Sequence, residues 1–319
     1  MFNRDDYVII KTKYESIRRK AENDVEEHRE RLCKEIPELK KICDMLSDTG
    51  PRVYAAALEG GENYAARLEQ IKRENEELLK KQRDILTQNG YPADYLDIKY
   101  NCPLCRDEGN IDGKMCECMR KELVFAGYES AGIAGLCGKM NFDTFDLSYY
   151  DGAERRNMEV ILQRVREYAE SFSDAGSGSV LFFGGTGLGK THLSVAVAKR
   201  VIEGGHNCVY TTSDKLFSDF RKYRFDREDD GRKTDKYYDC ELLVIDDLGT
   251  ELNGKDIESF LYNLLNQRIN NEKSTLISTN LSHQELLAKY DDRIVSRLFG
   301  EFLPYRFTGK DVRMQKLQK

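Results

Sequence analysis

With 319 residues, of which 40% are hydrophobic and 33% charged, the chain is long enough for one α/β core with smaller additions but too short for two large domains. Its formal net charge of −6 argues against a basic sheath that covers nucleic acid, so any contact with DNA must be local. No apolar segment is long enough to span a bilayer and the opening residues "MFNRDDYVII" lack a signal-peptide pattern, so we expect a cytoplasmic protein with no membrane partner.

Residues 1–97 are rich in charge and predict two helical stretches rather than a catalytic part. In the second stretch, side chains that favour a weak coiled-coil seam recur every seven residues: Tyr64, Ile71, Leu78 and Ile85. In the first, apolar side chains follow three-four spacing until Pro37 interrupts them: Ile10, Tyr14, Ile17, Ala21, Val25 and Leu32. We expect a helical hairpin or short coiled coil, which is either a partner-binding arm or a solvated structural extension.

Four cysteines lie close together in "CPLCRDEGNIDGKMCEC", within residues 98–120. Cys102 and Cys105 form a C-x-x-C pair, and Cys116 and Cys118 form a C-x-C pair after a loop that contains two glycines. Two thiolate pairs at this spacing match a tetrahedral zinc ion, so we expect a structural zinc module that needs its metal in order to fold. An iron–sulfur cluster is the alternative, ranked lower because nothing else in the sequence indicates electron transfer.

The stretch "SVLFFGGTGLGKTHLSVAVAKR", residues 179–200, predicts a buried strand, a phosphate-binding loop and a helix. Gly184, Gly189, Lys190 and Thr191 fit the spacing G-x-x-x-x-G-K-[ST]. In this pattern backbone N–H groups and the helix N-terminus bind phosphate oxygens, the lysine neutralises the β and γ phosphates, and the threonine binds Mg²⁺. We therefore predict a nucleotide site made of the loop and the first helical residues: Gly184, Gly185, Thr186, Gly187, Leu188, Gly189, Lys190, Thr191 and His192.

A second buried strand, in "CELLVIDDLGTE", ends in two carboxylates. Asp246 would emerge at the carboxyl edge of the sheet beside the phosphates, where we expect it to hold Mg²⁺ through water. Asp247 would point in a different direction, which suits a base that polarises the attacking water. Together with the phosphate loop, this pair predicts hydrolysis of a nucleoside triphosphate.

Further elements of the same core follow. "NCVYTT" predicts a strand and "SDKLFSDFRKYR" a helix that Ser213 caps. "STLISTN" predicts a buried strand that ends at Asn280, a polar residue placed to orient water. Arg293 and Arg297 are four residues apart and therefore share a helical face, as surface charge or as a source of an arginine finger for a neighbouring subunit.

Taken together, these motifs resemble the AAA+ ATPases of the DnaC, DnaI and IstB clade over residues 140–319. The resemblance rests on "GGTGLGKTHLS", "LLVIDDLGTE", "LISTN", "RIVSRLFG" and "YRFTGKDVR". It implies an α/β fold with the parallel sheet of a P-loop NTPase. Since the chain ends soon after Arg313, we expect no C-terminal helical lid.

The resemblance also implies roles for the catalytic residues. These are Lys190 and Thr191 as the Walker A pair, Asp246 and Asp247 as the Walker B pair, Asn280 as the first sensor, and Arg297 as the finger with Arg293 as second choice. The implied cofactors are ATP, magnesium and zinc.

The expected domains are a partner-binding arm at 1–97, a zinc module at 98–120, a linker at 121–153 and the AAA+ core at 154–319. The resemblance implies a helicase loader that binds the hexameric replicative helicase and single-stranded DNA, self-associates through its AAA+ interfaces and hydrolyses ATP. Two alternatives stay open: an IstB-like transposition helper, and a nucleotide-gated adaptor with negligible turnover.

A candidate DNA contact lies within residues 213–239, where basic residues are interleaved with aromatic ones: Arg221, Lys222, Tyr223, Arg224, Phe225 and Arg227. The same segment holds eight basic and eight acidic residues, so a solvated face is an equal alternative.

Overall fold

The computed structural model describes residues 2–59, 64–173, 176–225, 232–251 and 255–317. The chain divides into two compact units, Ile10–Met119 and Met1–Ile9 with Arg120–Lys319. The helices and strands are, in chain order, α1 (Arg4–Glu35), α2 (Pro37–Ser47), α3 (Thr49–Glu59), α4 (Tyr64–Gln88), β1 (Asn110–Ile111), β2 (Lys114–Met115), α5 (Glu117–Ala131), a 3₁₀ helix (Leu147–Tyr149), α6 (Gly152–Glu170), β3 (Ser179–Phe183), α7 (Lys190–Glu203), β4 (Cys208–Thr212), α8 (Ser213–Phe225), α9 (Arg232–Asp239), β5 (Leu242–Leu248), α10 (Lys255–Asn270), β6 (Ser274–Thr279), α11 (His283–Lys289), α12 (Asp292–Gly300), β7 (Phe302–Arg306) and α13 (Val312–Lys316).

The unit Ile10–Met119 contains more helices than the sequence predicted. Pro37 does not end the helical region but begins α2, because the first turn of a helix needs no N–H donor at that position. Pro51 likewise lies in the first turn of α3. Both α2 and α3 pack against α4. The seven-residue pattern holds only in part: Ile71 and Leu78 are buried, whereas Tyr64 is exposed.

The second unit is built on a five-stranded parallel sheet with the order β4-β5-β6-β3-β7. Its inward side chains alternate between two apolar layers, as expected for a parallel sheet that is covered on both faces. Val180 and Phe182 belong to the layer that includes α6 and α7, while Leu181 faces the layer that includes α8, α10 and α12. Because all five strands run in the same direction, their carboxyl ends meet at one edge.

Residues 121–153 do not form the expected linker. Ile133 and Tyr150 are 0% and 2% exposed, and both lie in the same apolar layer as α6 and α7. The compact unit accordingly includes the chain from Arg120 onward. The structure therefore differs from the linker prediction: the first part of this segment lies in α5 (Glu117–Ala131), and apolar residues after it are buried in the core.

After β7, the part of the chain that the structure describes contains one short helix, α13. Among the described helices, none combines the length and the apolar character that crossing a bilayer requires.

Candidate nucleotide site and cysteine cluster

The loop between β3 and α7 can be formed only with glycine at defined positions. Gly184, Gly187 and Gly189 have φ angles of 140°, 71° and 84°, which side chains other than glycine rarely tolerate. Space excludes a side chain as well: a Cβ on Gly184 would lie 2.2 Å from the carbonyl oxygen of Phe307, and one on Gly187 would lie 2.0 Å from Asp311 Oδ1. Gly189 is the N-cap of α7, so the positive end of that helix faces the loop.

Lys190 lies at the centre of this loop and is 4% exposed. Its Nζ donates hydrogen bonds to the carbonyl oxygens of Gly184 and Gly185 at 2.8 and 2.6 Å and to Asn280 Oδ1 at 2.7 Å. Burial lowers the pKa of Lys190 to about 8, although the carboxylates of Asp247 and Asp246 act in the opposite direction. The three acceptors are neutral, so an anionic phosphate would compensate the buried ammonium better than its present partners do.

Asp246 is 3% exposed and ends the regular part of β5. Its Oδ2 accepts a hydrogen bond from Thr191 Oγ1 at 2.8 Å, and its Oδ1 accepts one from Ser278 Oγ at 2.5 Å. When Thr191 donates its proton to Asp246, the lone pairs of its hydroxyl oxygen remain available for a cation. Thr191 and Asp246 therefore form an oxygen-rich pair of the kind that Mg²⁺ prefers.

Asp247 takes a different direction from Asp246 because its backbone has a φ of 55°. Burial and the neighbouring carboxylate of Asp246 raise the pKa of Asp247. Its Oδ1 accepts a hydrogen bond from Asn280 Nδ2 at 3.2 Å, and Asn280 also contacts Lys190. The structure thus brings the lysine, the candidate base and the strand-tip amide into one hydrogen-bonded chain, an arrangement suited to acid–base chemistry at a phosphate.

A cavity of about 190 Å³ is lined by four of the residues described above: Lys190, Thr191, Asp247 and Asn280. Seven of the nine residues predicted for the nucleotide site line it: Thr186, Gly187, Leu188, Gly189, Lys190, Thr191 and His192. The ring nitrogen Nε2 of His192 lies 2.8 Å from the carbonyl oxygen of Asn141, and the imidazole meets the ring of Phe145 edge-on. His192 thus links α7 to the segment before α6.

Two regions that sequence reasoning did not assign also line the cavity. The first precedes α6 and supplies Met140, Phe145 and Tyr150, and the second is α13 with its neighbours, where Val312 N donates to the carbonyl oxygen of Gly187 at 3.0 Å. Arg313 is close enough for its charge to lower the pKa of both Lys190 and Asp247. The closing "YRFTGKDVR" contains Arg313, and this was the one available signal for the second region.

The two candidate finger residues lie on α12 and share a face. The guanidinium carbons of Arg293 and Arg297 lie 5.1 and 4.4 Å from the ring centroid of Tyr262. Arg297 also donates to Tyr262 Oη and Asn266 Oδ1, both at 3.0 Å, whereas Arg293 pairs with Asp291 at 2.9 Å. Each arginine has partners within its own chain, and a role at a neighbouring subunit stays a prediction.

The candidate DNA segment is described only in part. Arg221 and Lys222 are exposed on α8. The side chains of Tyr223, Arg224 and Phe225, together with Arg227, lie outside the described residues. The cap of α8 differs from the prediction: Ser213 Oγ donates to the carbonyl oxygen of Asp247 at 2.9 Å, and Thr212 Oγ1 accepts from Lys215 N at 3.4 Å.

The four cysteines of residues 98–120 form a cluster in the other unit, with all Sγ atoms within 4.8 Å of one another. The distances Cys102–Cys116 and Cys105–Cys118 are 3.9 and 3.4 Å. For comparison, Zn–S bonds of about 2.3 Å place two ligands of a tetrahedral zinc ion about 3.8 Å apart.

The backbone around the first cysteine pair is fixed by an adjacent carboxylate. Asp107 is 4% exposed, has a left-handed φ of 55° and accepts hydrogen bonds from the N–H groups of Asn101 and Cys102 at 2.9 and 2.7 Å. The backbone N–H of Gly109 donates to Cys105 Sγ at 3.3 Å. The thiol set, its spacing and the N–H···S bond fit a four-sulfur metal site.

Comparison with known proteins finds relatives in sequence and in structure. Among curated proteins, the chromosomal replication initiator DnaA of Helicobacter acinonychis (strain Sheeba) is 34% identical over 119 residues, which cover 37% of this chain and 26% of that protein. DnaA of Aliarcobacter butzleri (strain RM4018) is 29% identical over 142 residues, which cover 44% of this chain and 32% of the relative. The chain therefore spans only about a quarter to a third of the length of these relatives.

Among solved structures, the crystal structure of the DnaC helicase loader aligns with a TM-score of 0.47 and 23% identity, covering 54% of this chain and 98% of that one. The crystal structure of DnaI aligns with a TM-score of 0.45 and 20% identity, covering 55% and 91%. A family model described as "IstB-like ATP binding protein" matches residues 129–299, which is more than half of the chain. With its parallel sheet and phosphate-binding loop, the chain belongs to the family of IstB-like ATP-binding proteins.

Proposed function

We propose that this protein is a replication helicase loader: it binds the replicative helicase and single-stranded DNA, and it binds and hydrolyses ATP. The observation that supports the ATPase part is the continuous hydrogen-bonded set Lys190–Asn280–Asp247 beside the pair Thr191–Asp246. The loader part is supported by a helical unit that carries a four-cysteine cluster and no part of the nucleotide site among its described residues. The matched relatives are named as chromosomal replication initiators, which agrees with a role in replication.

In this proposal each residue of the ATP site has a separate task. The N–H groups of the glycine loop and the ammonium of Lys190 bind the phosphates. Thr191 and Asp246 hold magnesium, which neutralises phosphate charge and orients the phosphate oxygens when it is bound. Asp247 accepts a proton from the attacking water, and Asn280 orients that water.

The cysteine cluster would hold a structural zinc ion. Its four thiols leave no open coordination position for a substrate, and the hairpin β1–β2 that joins the two pairs is only four strand residues long. So small an element cannot bury enough apolar surface to order itself, so the metal would stabilise residues 98–120. In this proposal the unit Ile10–Met119 is the part that binds the helicase.

An IstB-like transposition helper is the second candidate, because the family model that matches residues 129–299 is described as an IstB-like ATP binding protein. Capture experiments with the full chain separate the two. We expect the tagged protein, with ATP present, to retain the replicative helicase. Retention of a transposase and of no helicase would contradict the loader and favour the helper.

ATP binding is tested by Lys190→Ala, with Lys199→Ala as a matched control. Both lysines lie on α7, but Lys199 pairs with Glu203 at the surface. Loss of the buried ammonium should weaken ATP binding by about 100-fold, since a charged hydrogen-bonding group contributes roughly 3 kcal/mol. Normal ATP affinity in Lys190→Ala would contradict the assigned site. If ATP binds normally but turnover is negligible in the presence of helicase and DNA, the nucleotide-gated adaptor replaces the ATPase cycle.

A further inference from the structure

Tyr210 on β4 reaches the magnesium-binding end of the nucleotide site although no motif contains it. Its hydroxyl donates a hydrogen bond to Asp246 Oδ2 at 2.9 Å. In this contact the phenol is the donor and the carboxylate oxygen the acceptor.

The register of the sheet explains how the contact arises. Thr212 pairs with Asp246 and Tyr210 pairs with Val244, so Tyr210 lies two residues before the strand end. Its ring packs in the apolar layer that includes Val244 and α7. The tyrosine side chain is long enough for its hydroxyl to reach the Asp246 carboxylate from this layer.

Asp246 is consequently held by three hydroxyl groups from three separate elements. Tyr210 from β4 and Thr191 from α7 both donate to Oδ2, and Ser278 from β6 donates to Oδ1. Ser278 Oγ also accepts the backbone N–H of Asp247 at 2.9 Å. With its partners on two sides, the carboxylate has little freedom to rotate, and the position of Thr191 relative to it is fixed.

We propose that Tyr210 is a positioning residue of the nucleotide site, whose hydroxyl orients Asp246 so that Asp246 and Thr191 present a preset pair of oxygens to the divalent cation that accompanies ATP. The inference rests on the magnesium role proposed above for Thr191 and Asp246. Residues that orient metal ligands commonly change metal affinity by about 10- to 100-fold when they are removed.

The test is Tyr210→Phe, which removes one oxygen and keeps the ring in the core. The measured quantity is the ratio of the dissociation constants of a fluorescent ATP analogue in EDTA and in magnesium. We expect this ratio to fall about 10-fold, because Tyr210 orients a proposed magnesium ligand. The dissociation constant in EDTA should stay unchanged, because no magnesium is bound there and two hydroxyl donors still hold Asp246. Tyr128→Phe is the matched control, since Tyr128 donates to Glu203 Oε1 at 2.8 Å in the same unit, outside the nucleotide cavity.

The outcomes distinguish this inference from the function on which it rests. If magnesium does not improve nucleotide binding by the unaltered protein, the proposed magnesium site is wrong and the inference falls with it. If magnesium does improve binding and Tyr210→Phe keeps the full ratio, Tyr210 does not orient the site. Equal weakening in EDTA and in magnesium, or the same loss in Tyr128→Phe, would show a general effect on packing and would also overturn the inference.

Discussion

The buried ammonium of Lys190 should make the stability of the nucleotide-free protein depend on pH. Burial lowers its pKa from 10.5 to about 8 in the folded state, whereas the unfolded chain keeps the ordinary value. Between these two pH values the folded state binds fewer protons than the unfolded state. The free energy of unfolding that Lys190 contributes therefore rises with pH in this window, and below pH 8 the buried charge is a cost.

The size of the effect follows from the two pKa values. Between pH 7 and pH 9.5 the linkage relation gives a gain of about 2 kcal/mol from this group. In a unit of this size that gain corresponds to a rise in Tm of roughly 4 to 8 °C. The gain should be absent in Lys190→Met, in which an apolar chain of similar length replaces the ammonium.

The assay compares thermal unfolding of the unaltered protein and Lys190→Met at both pH values without nucleotide. All other titrating groups contribute to both proteins, so they cancel in the difference. The loss of the donor to the three neutral acceptors occurs only in Lys190→Met, but it is the same at both pH values and does not affect the comparison between them. Lys199→Met is the control, because the Lys199 ammonium lies at the surface beside Glu203. The reasoning is refuted if the difference in Tm between the unaltered protein and Lys190→Met is the same at pH 7 and at pH 9.5. It is also refuted if the unaltered protein loses stability relative to Lys190→Met as the pH rises.

The candidate base, the cysteine cluster and the arginine pair each carry one further prediction. Asp247→Asn should bind ATP normally but hydrolyse it about 100-fold more slowly in single-turnover assays, because the amide cannot accept a proton. Cys116→Ser should lose zinc, measured as metal per chain, and should exchange amide hydrogens faster over residues 98–120 while it still binds ATP. Arg297→Ala should bind ATP but lose most stimulated hydrolysis, and mixing it with Lys190→Ala should restore part of that activity, because one chain then supplies the loop and the other the arginine.

Each of these results has an outcome that would contradict it. Equal loss of ATP binding in Asp247→Asn and Lys190→Ala would remove the separate role of the base. Iron with visible absorption in the purified protein would replace zinc by an iron–sulfur cluster, and Cys33→Ser, outside the cluster, serves as the control for metal content. If all mixing ratios stay inactive although mixed assembly is shown independently, Arg297 does not act at a neighbouring subunit.

The sequence indicated which residues meet at the centre of the candidate nucleotide site because these residues lie at strand ends. Lys190 follows β3, Asp246 and Asp247 lie at the end of β5, and Asn280 follows β6. Local patterns indicate each strand, and one rule of topology then brings the carboxyl ends of parallel strands together. Their contacts in the structure, from Lys190 to Asn280 and from Asn280 to Asp247, follow from that rule.

Residues that depend on side-chain reach or on distant segments could not be predicted in this way. Tyr210 lies within a strand, and only the pairing of β4 with β5 shows that its hydroxyl meets Asp246. Phe145 and Val312 line the same cavity although they lie far apart along the chain, and neither belongs to a periodic pattern. The sequence pattern favours a helix end at Pro37 because proline disrupts helix interiors, but in the structure Pro37 lies in the first turn of α2, where no N–H donor is needed.

The end of β5 also connects the candidate base to the helix that carries the arginine pair. After Asp247 the chain turns at Gly249, where Glu251, 3% exposed, accepts the backbone N–H of Gly249 at 2.9 Å and the hydroxyl of Tyr290. Lys289 donates to the carbonyl oxygens of Gly249 and Glu251 at 2.8 and 2.7 Å. Lys289 and Tyr290 immediately precede α12, so the turn after the base and the start of that helix share one buried polar network. Because breaking such a network leaves buried charge unpaired, the two parts are expected to move together. If Arg297 serves the neighbouring subunit, this buried network would link the candidate base Asp247 of one subunit's site to the arginine that completes the site of the neighbouring subunit.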